Sequence, residues 1–179
     1  MTRQLPKLIL SACMGLLSLQ AHALDSITRS ANIVTLGLPA FAAGMSLVND
    51  DTAGLVQLVK SEAVTLGLVE VLKSTIHETR PNGKDDKSFP SGHTAVAFSA
   101  AQYLQTKGGW EYGVPAYVAA SFVAYARVDA REHRWRDVAA GAATGMLTTY
   151  YFADENSGRR LSMGWTGRSA LFQFQQPLK

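Results

Sequence analysis

Residues 126–138 read Ala126-Arg127-Val128-Asp129-Ala130-Arg131-Glu132-His133-Arg134-Trp135-Arg136-Asp137-Val138, and this stretch says most about the chain. An arginine stands six positions before a histidine, and an aspartate stands four after it. Residues i and i+4 share a helix face, so the spacing predicts that Asp137 bonds one nitrogen of the His133 imidazole and fixes its tautomer. The other nitrogen is then free to act as a nucleophile. Arg127 carries a permanent charge and a planar fork of donors suited to phosphate oxygens. A lone histidine is more often packed or solvated than catalytic. Here its neighbours carry the reading.

Two more segments extend the pattern upstream. Lys73-Ser74-Thr75-Ile76-His77-Glu78-Thr79-Arg80-Pro81 sets a lysine and an arginine seven apart. Seven residues are two helical turns, which predicts one shared face. Pro90-Ser91-Gly92-His93 places a hydroxyl, an unhindered backbone and an imidazole at an expected helix start. In order and in internal spacing, the three segments resemble the signature motifs of the type-2 phosphatidic acid phosphatase family. That family includes bacterial lipid phosphatases, class A acid phosphatases and vanadium haloperoxidases. The resemblance covers roughly residues 70 to 140.

The resemblance implies an all-α fold, a compact helical bundle, and a division of labour. His133 attacks phosphorus and forms a phosphohistidine. Asp137 orients it. His93 protonates the leaving oxygen, then helps activate the hydrolytic water. Lys73, Arg80 and Arg127 hold the phosphoryl oxygens, while Ser91 and the backbone N–H groups around Gly92 add hydrogen bonds. A helix starting near Gly92 would also turn its positive end toward the phosphate. The mechanism implies no cofactor and no metal. One departure stands out: the family commonly has serine before the motif arginine, and this chain has Ala126. That hydroxyl is auxiliary, so its loss bears on rate or substrate. His77 lies inside the first motif but not at a family position, and it is read as structural. Arg131, Arg134 and Arg136 read as a solvated face or as phosphate steering.

The chain has 179 residues, 47% apolar and 17% charged, with net charge +3. Soluble domains average about 25% charged residues, so this chain is charge-poor. No basic stripe with interleaved aromatics is present, which excludes a nucleic-acid partner. The sequence has no His-x-x-x-His, no paired cysteines and no carboxylate cluster, so a metal site is disfavoured. Asp85 and Asp86 read as a solvated loop.

The N-terminus reads as an export signal over residues 1–23. Arg3 and Lys7 precede an apolar run at residues 8–19, too short to span a bilayer. Ala21-His22-Ala23 is a small-x-small cleavage site, leaving one phosphatase domain over residues 24–179. The alternative is an uncleaved signal anchor. Leu10-Ser11-Ala12-Cys13 resembles a lipoprotein box, but the apolar stretch before the single cysteine is short. Ordinary cleavage leaves no cysteine, which suits an oxidising envelope.

Between the motifs the chain reads as helices. Residues 33–48 are uncharged, with Pro39 as an expected break or kink. Asn49-Asp50-Asp51-Thr52 is a polar turn that can cap a helix over residues 53–79. A loop follows at 81–86, then a helix from Gly92 that Lys107-Gly108-Gly109 ends. Residues 112–126 and 138–152 are uncharged, and Gly141 and Gly145 form a small face for close helix approach. Gly164, Gly167 and the alternation at 171–175 predict a terminal β-hairpin.

These uncharged runs are shorter than the about 20 residues a bilayer span needs, which favours a soluble bundle. Low charge, the small face and the family's integral members favour the membrane. The expectation is an exported phosphatase on or in the inner membrane, facing the periplasm. Its substrate would be a phosphate monoester or diphosphate of an envelope lipid or isoprenoid. The alternatives are a soluble periplasmic acid phosphatase of broad specificity and, disfavoured by size, a vanadate haloperoxidase. An inactive binding protein is disfavoured by the intact His133, His93 and Asp137.

Overall fold

The polar turn at residues 49–52 does what its composition predicts. Asp51 accepts a 2.7 Å hydrogen bond from the Gly54 amide and so caps a new helix. In the computed structural model, the backbone is described for residues 5–153, 160–165 and 170–175, and side chains for residues 26–153. Helix α1 spans Leu5–Val48, α2 Thr52–Thr75, α3 Gly92–Gly108, α4 Trp110–Asp129 and α5 Trp135–Ala153. Strands β1 (Arg160–Trp165) and β2 (Ala170–Gln175) pair antiparallel, with Arg160 opposite Gln175 and Trp165 opposite Ala170. The fold is the expected helical bundle.

Two helix boundaries differ from the sequence reading. Helix α1 runs unbroken through Pro39. A proline removes one ladder bond, and the uncharged residues on either side offer no side-chain cap that would end the helix. Helix α2 stops at Thr75, four residues before the predicted end, and Ile76 is extended. The Ser74 and Thr75 hydroxyls bond back to the Val71 carbonyl, competing with the last turn. Arg80 precedes Pro81, and a residue before proline is pushed out of helical geometry.

Helix α3 is the centre of the bundle and packs against α1, α2, α4 and α5. Its buried residues are mostly small, including Ala95, Ala97, Ser99, Ala100 and Ala101, so its neighbours come close. The closest approach is to α5. A β-carbon at Gly141 would lie 2.4 Å from the Ser91 carbonyl oxygen, and one at Gly145 would lie 2.1 Å from that of Ala95. The small face therefore belongs to the α3–α5 contact inside the bundle. It also lays the start of α5 against the start of α3, where the second and third motifs meet.

Candidate active site

The segment after α4 folds back on itself. The amides of Glu132 and His133 both donate to the Arg127 carbonyl, at 3.1 and 3.2 Å. This turn carries His133 into the interior, where it is only 3% exposed. Its Nδ1 lies 2.6 Å from the Ser88 carbonyl oxygen. A carbonyl only accepts, so Nδ1 carries the hydrogen, and in the neutral ring Nε2 keeps the lone pair.

Here the structure corrects the sequence reading. Asp137 does not bond the imidazole: its Oδ2 is 3.9 Å from Nδ1. That oxygen is already engaged. It accepts from the Ser88 hydroxyl at 2.6 Å and from the Arg134 amide at 2.8 Å. The second bond is a helix cap, because Asp137 sits in the first turn of α5 and reaches back to the residue before it. The Asp137 carbonyl also accepts from the Ser91 amide at 3.0 Å. Fully buried, Asp137 thus holds Ser88, and Ser88 holds His133.

The first motif arrives by a different route from the one predicted. With α2 ending at Thr75, Lys73 sits in its last turn and Arg80 lies in the loop beyond, so the two do not share a helix face. A turn brings Arg80 in: its amide donates to the Asp85 carbonyl at 2.9 Å, and its Nε to Asp85 Oδ1 at 2.7 Å. The Asn82 amide donates to the Arg131 carbonyl at 2.9 Å, tying this loop to the third motif. Arg134 and Arg136, read from sequence as a solvated face or as phosphate steering, are exposed, and both pair with Glu78, tying the loop to the start of α5.

Arg127 is 2% exposed at the end of α4. Its Nη1 meets Glu132 Oε2 at 2.8 Å, its Nη2 meets Asn32 of α1, and its buried Nε has no partner among the described residues. Ser91 is the N-cap residue of α3, and its hydroxyl is buried 3.0 Å from that of Thr94. Gly92 opens the helix, so the first N–H groups of α3 lack partners in its ladder. His93, in the same turn, is more open to solvent. His77 is exposed, outside any helix.

The electrostatics link these groups. Burial pushes His133 down to about 4, assisted by the charges of Arg80 and Lys73 and opposed by the Ser88 bond and Asp137. His93 keeps an exposed edge, yet partial desolvation of its ring lowers it too, with Arg127, His133 and Lys73 adding to the effect and Glu132 opposing it. Lys73 is likewise lowered, first by burial. Lys73, Arg80, Arg127, His93 and His133 thus lie within range of one another's charge, although three separate segments carry them. A bound phosphate dianion would reverse the effect of the cations and raise His93 toward protonation. Ser88, Asn32 and Glu132 were not foreseen. A polar Asn32 just before the uncharged run at 33–48 was the one visible signal.

Residues 54–154, more than half of the chain, match the model of the PAP2 superfamily. The chain belongs to that superfamily. It is 39% identical over 85 residues to the lipid A 1-phosphatase of Porphyromonas gingivalis, covering 45% of this chain and 19% of that protein. The chain thus spans about a fifth of that relative's length. It is 31% identical over 134 residues to the lipid A 4'-phosphatase of Helicobacter pylori, covering 69% of this chain and 68% of that protein. Among solved structures it resembles LpxE of Aquifex aeolicus, with a TM-score of 0.53, 20% identity, and coverage of 73% of this chain and 92% of that one. It also resembles the transmembrane PAP2-type phosphatidylglycerolphosphate phosphatase of Bacillus subtilis. There the TM-score is 0.51 and the identity 26%, over 80% of this chain and 88% of that one.

Proposed function

We infer that this protein is a lipid phosphatase of the cell envelope that works through a phosphohistidine at His133. The observation that carries the reading is the buried imidazole whose Nδ1 is committed to the Ser88 carbonyl, among cations from three segments. An unprotonated Nε2 is what in-line attack on phosphorus needs. Lys73, Arg80 and Arg127 neutralise the phosphoryl oxygens, the start of α3 adds N–H donors, and His93 delivers the proton to the leaving alkoxide. With three side-chain cations to neutralise charge, the reading is metal-free.

The membrane part of the reading rests on the surface. Residues Ser26–Val48 form a helix long and apolar enough to cross a bilayer, with mean hydropathy 1.6, and only 22% of that stretch is buried in the bundle. Ile33, Leu36, Val59, Val118, Phe122 and Leu147 extend an exposed apolar belt over α1, α2, α4 and α5. A soluble monomer seldom exposes so much. Exposed Trp110 and Trp135 sit at opposite ends of the belt, as aromatic residues do at the two interfaces. From Trp110 to Arg127 is about 26 Å along a helix, close to the ~30 Å hydrocarbon thickness. The catalytic end then lies beyond the belt, at one interface, where a lipid phosphate would be found. We place that end on the periplasmic side, after an N-terminal export signal at residues 1–23. The names of the two lipid A phosphatases support a phosphorylated envelope lipid as substrate.

The deciding experiment assays the purified full-length protein against lipid A, phosphatidylglycerolphosphate, undecaprenyl diphosphate and a soluble nitrophenyl ester. A lipid phosphate should give the highest kcat/KM, and acid trapping should capture labelled phosphate on His133. Preference for the soluble ester would favour the broad acid phosphatase instead.

A further inference from the structure

Glu132 has no role in the reaction as derived, yet its carboxylate lies against two of the arginines that do. Its Oε2 lies 2.8 Å from Nη1 of Arg127 and 3.7 Å from Nη1 of Arg80. Both arginines are read as phosphate-binding. The backbone imposes this position, because the turn that donates two amides to the Arg127 carbonyl folds the carboxylate back over the preceding guanidinium. Burial acts to raise the Glu132 carboxyl, but the Arg127 hydrogen bond and the charges of both arginines outweigh it and keep the group ionised.

One carboxylate oxygen between two guanidinium groups stands where a phosphoryl oxygen would bridge them. A phosphomonoester dianion and the carboxylate cannot share that fork, because like charges in one contact repel. The other arginine contacts point elsewhere. Arg80 Nε is held by Asp85 and Arg127 Nη2 by Asn32, so the contacts that an incoming oxyanion can exchange with Glu132 are those of the Nη1 atoms.

From this geometry we propose that Glu132 is a built-in stand-in for the substrate phosphate. It occupies the Arg80–Arg127 fork between turnovers, yields it to the phosphoryl group, and retakes it to help expel inorganic phosphate. It is a positioning residue in that it acts on the two arginines and not on the reacting atoms. It also sets a threshold, since an incoming anion must bind the fork better than a tethered carboxylate does. The proposal rests on the phosphatase reading above.

The test compares wild type and Glu132→Gln, both full-length in detergent, for inhibition by orthophosphate and orthovanadate. Glutamine keeps the shape and removes the charge. The inhibition constants should fall roughly tenfold, the scale of one competing charge-assisted hydrogen bond. KM should fall with them, and kcat should not rise, because product leaves more slowly. A carboxylate that merely braces the arginines gives the opposite, weaker oxyanion binding and higher KM. That result, or unchanged constants, overturns the proposal. If Glu132→Gln does not fold, Glu132→Asp shortens the arm and should shift the constants the same way; no shift overturns the proposal equally. Wild type that neither binds these oxyanions nor hydrolyses phosphoesters defeats the phosphatase reading itself. Wild-type binding with unaltered variants defeats only the role of Glu132.

Discussion

At the scale of single residues, His133, the proposed nucleophile, is held at one remove from Asp137. Asp137 grips Ser88, and the Ser88 carbonyl grips His133. His133→Ala should lower turnover by several orders of magnitude, the scale of losing a covalent catalyst. Because the contact is relayed, Ser88→Ala and Asp137→Asn should be strongly non-additive in kcat. Additive losses in that double mutant would break the relay. Stability should also carry the mark of His133. Unfolded, its imidazole takes a proton near 6.5, but folded it resists until about 4. The unfolded state therefore binds more protons between those values, and stability falls as pH drops through that window. The loss for one group is on the order of 3 kcal/mol. Denaturant titrations at pH 7 and pH 5 should show a smaller drop for His133→Gln than for wild type.

At the scale of elements, the α3–α5 contact sets the site. Gly141 and Gly145 bring the α5 backbone against the Ser91 and Ala95 carbonyls, and this approach lets Asp137 reach both Ser88 and the Ser91 amide. A methyl group at Gly145 would stand 2.1 Å from the Ala95 oxygen, so the helices must part. Gly145→Ala should destabilise the protein by about 1–3 kcal/mol, the cost of overpacking, and lower kcat although no catalytic group is touched. Gly67, on α2, has open space around its β-carbon position and serves as the control. Equal melting temperatures for the Gly145 and Gly67 variants would contradict this account.

At the scale of the whole molecule, the exposed apolar residues on four helices and the proposed catalytic end beyond them bear on one reading, that of a membrane enzyme. Lipid phosphate would meet the cations at the interface while its chains stay in the hydrocarbon. Most of the protein should therefore resist osmotic shock and carbonate, and come free only with detergent. Release by shock alone would count against the membrane reading. Activity in detergent should persist in EDTA and be inhibited by vanadate. Loss in EDTA with recovery on adding a divalent ion would count against metal-free catalysis.

The three motifs were legible in residue types and spacing, and their resemblance to a known family carried the family and, with the long uncharged runs, the helical class. The starts of α2 and α3 were legible for a local reason, since Asp51 and the Pro90–Gly92 segment act on their own neighbours. Spacing alone misled where it assumed a continuous helix. Lys73 and Arg80 are seven apart in sequence, yet a loop closed by Asp85 sets their meeting. Asp137 is four from His133, yet Ser88, 45 residues upstream, holds the imidazole. Asn32 and Glu132 joined Arg127 only when α1 and the turn after α4 folded against it. Sequence periodicity describes one element at a time, whereas hydrogen bonds in a dry interior go to whichever donor or acceptor the packing brings within reach. Tertiary structure alone decided those partners.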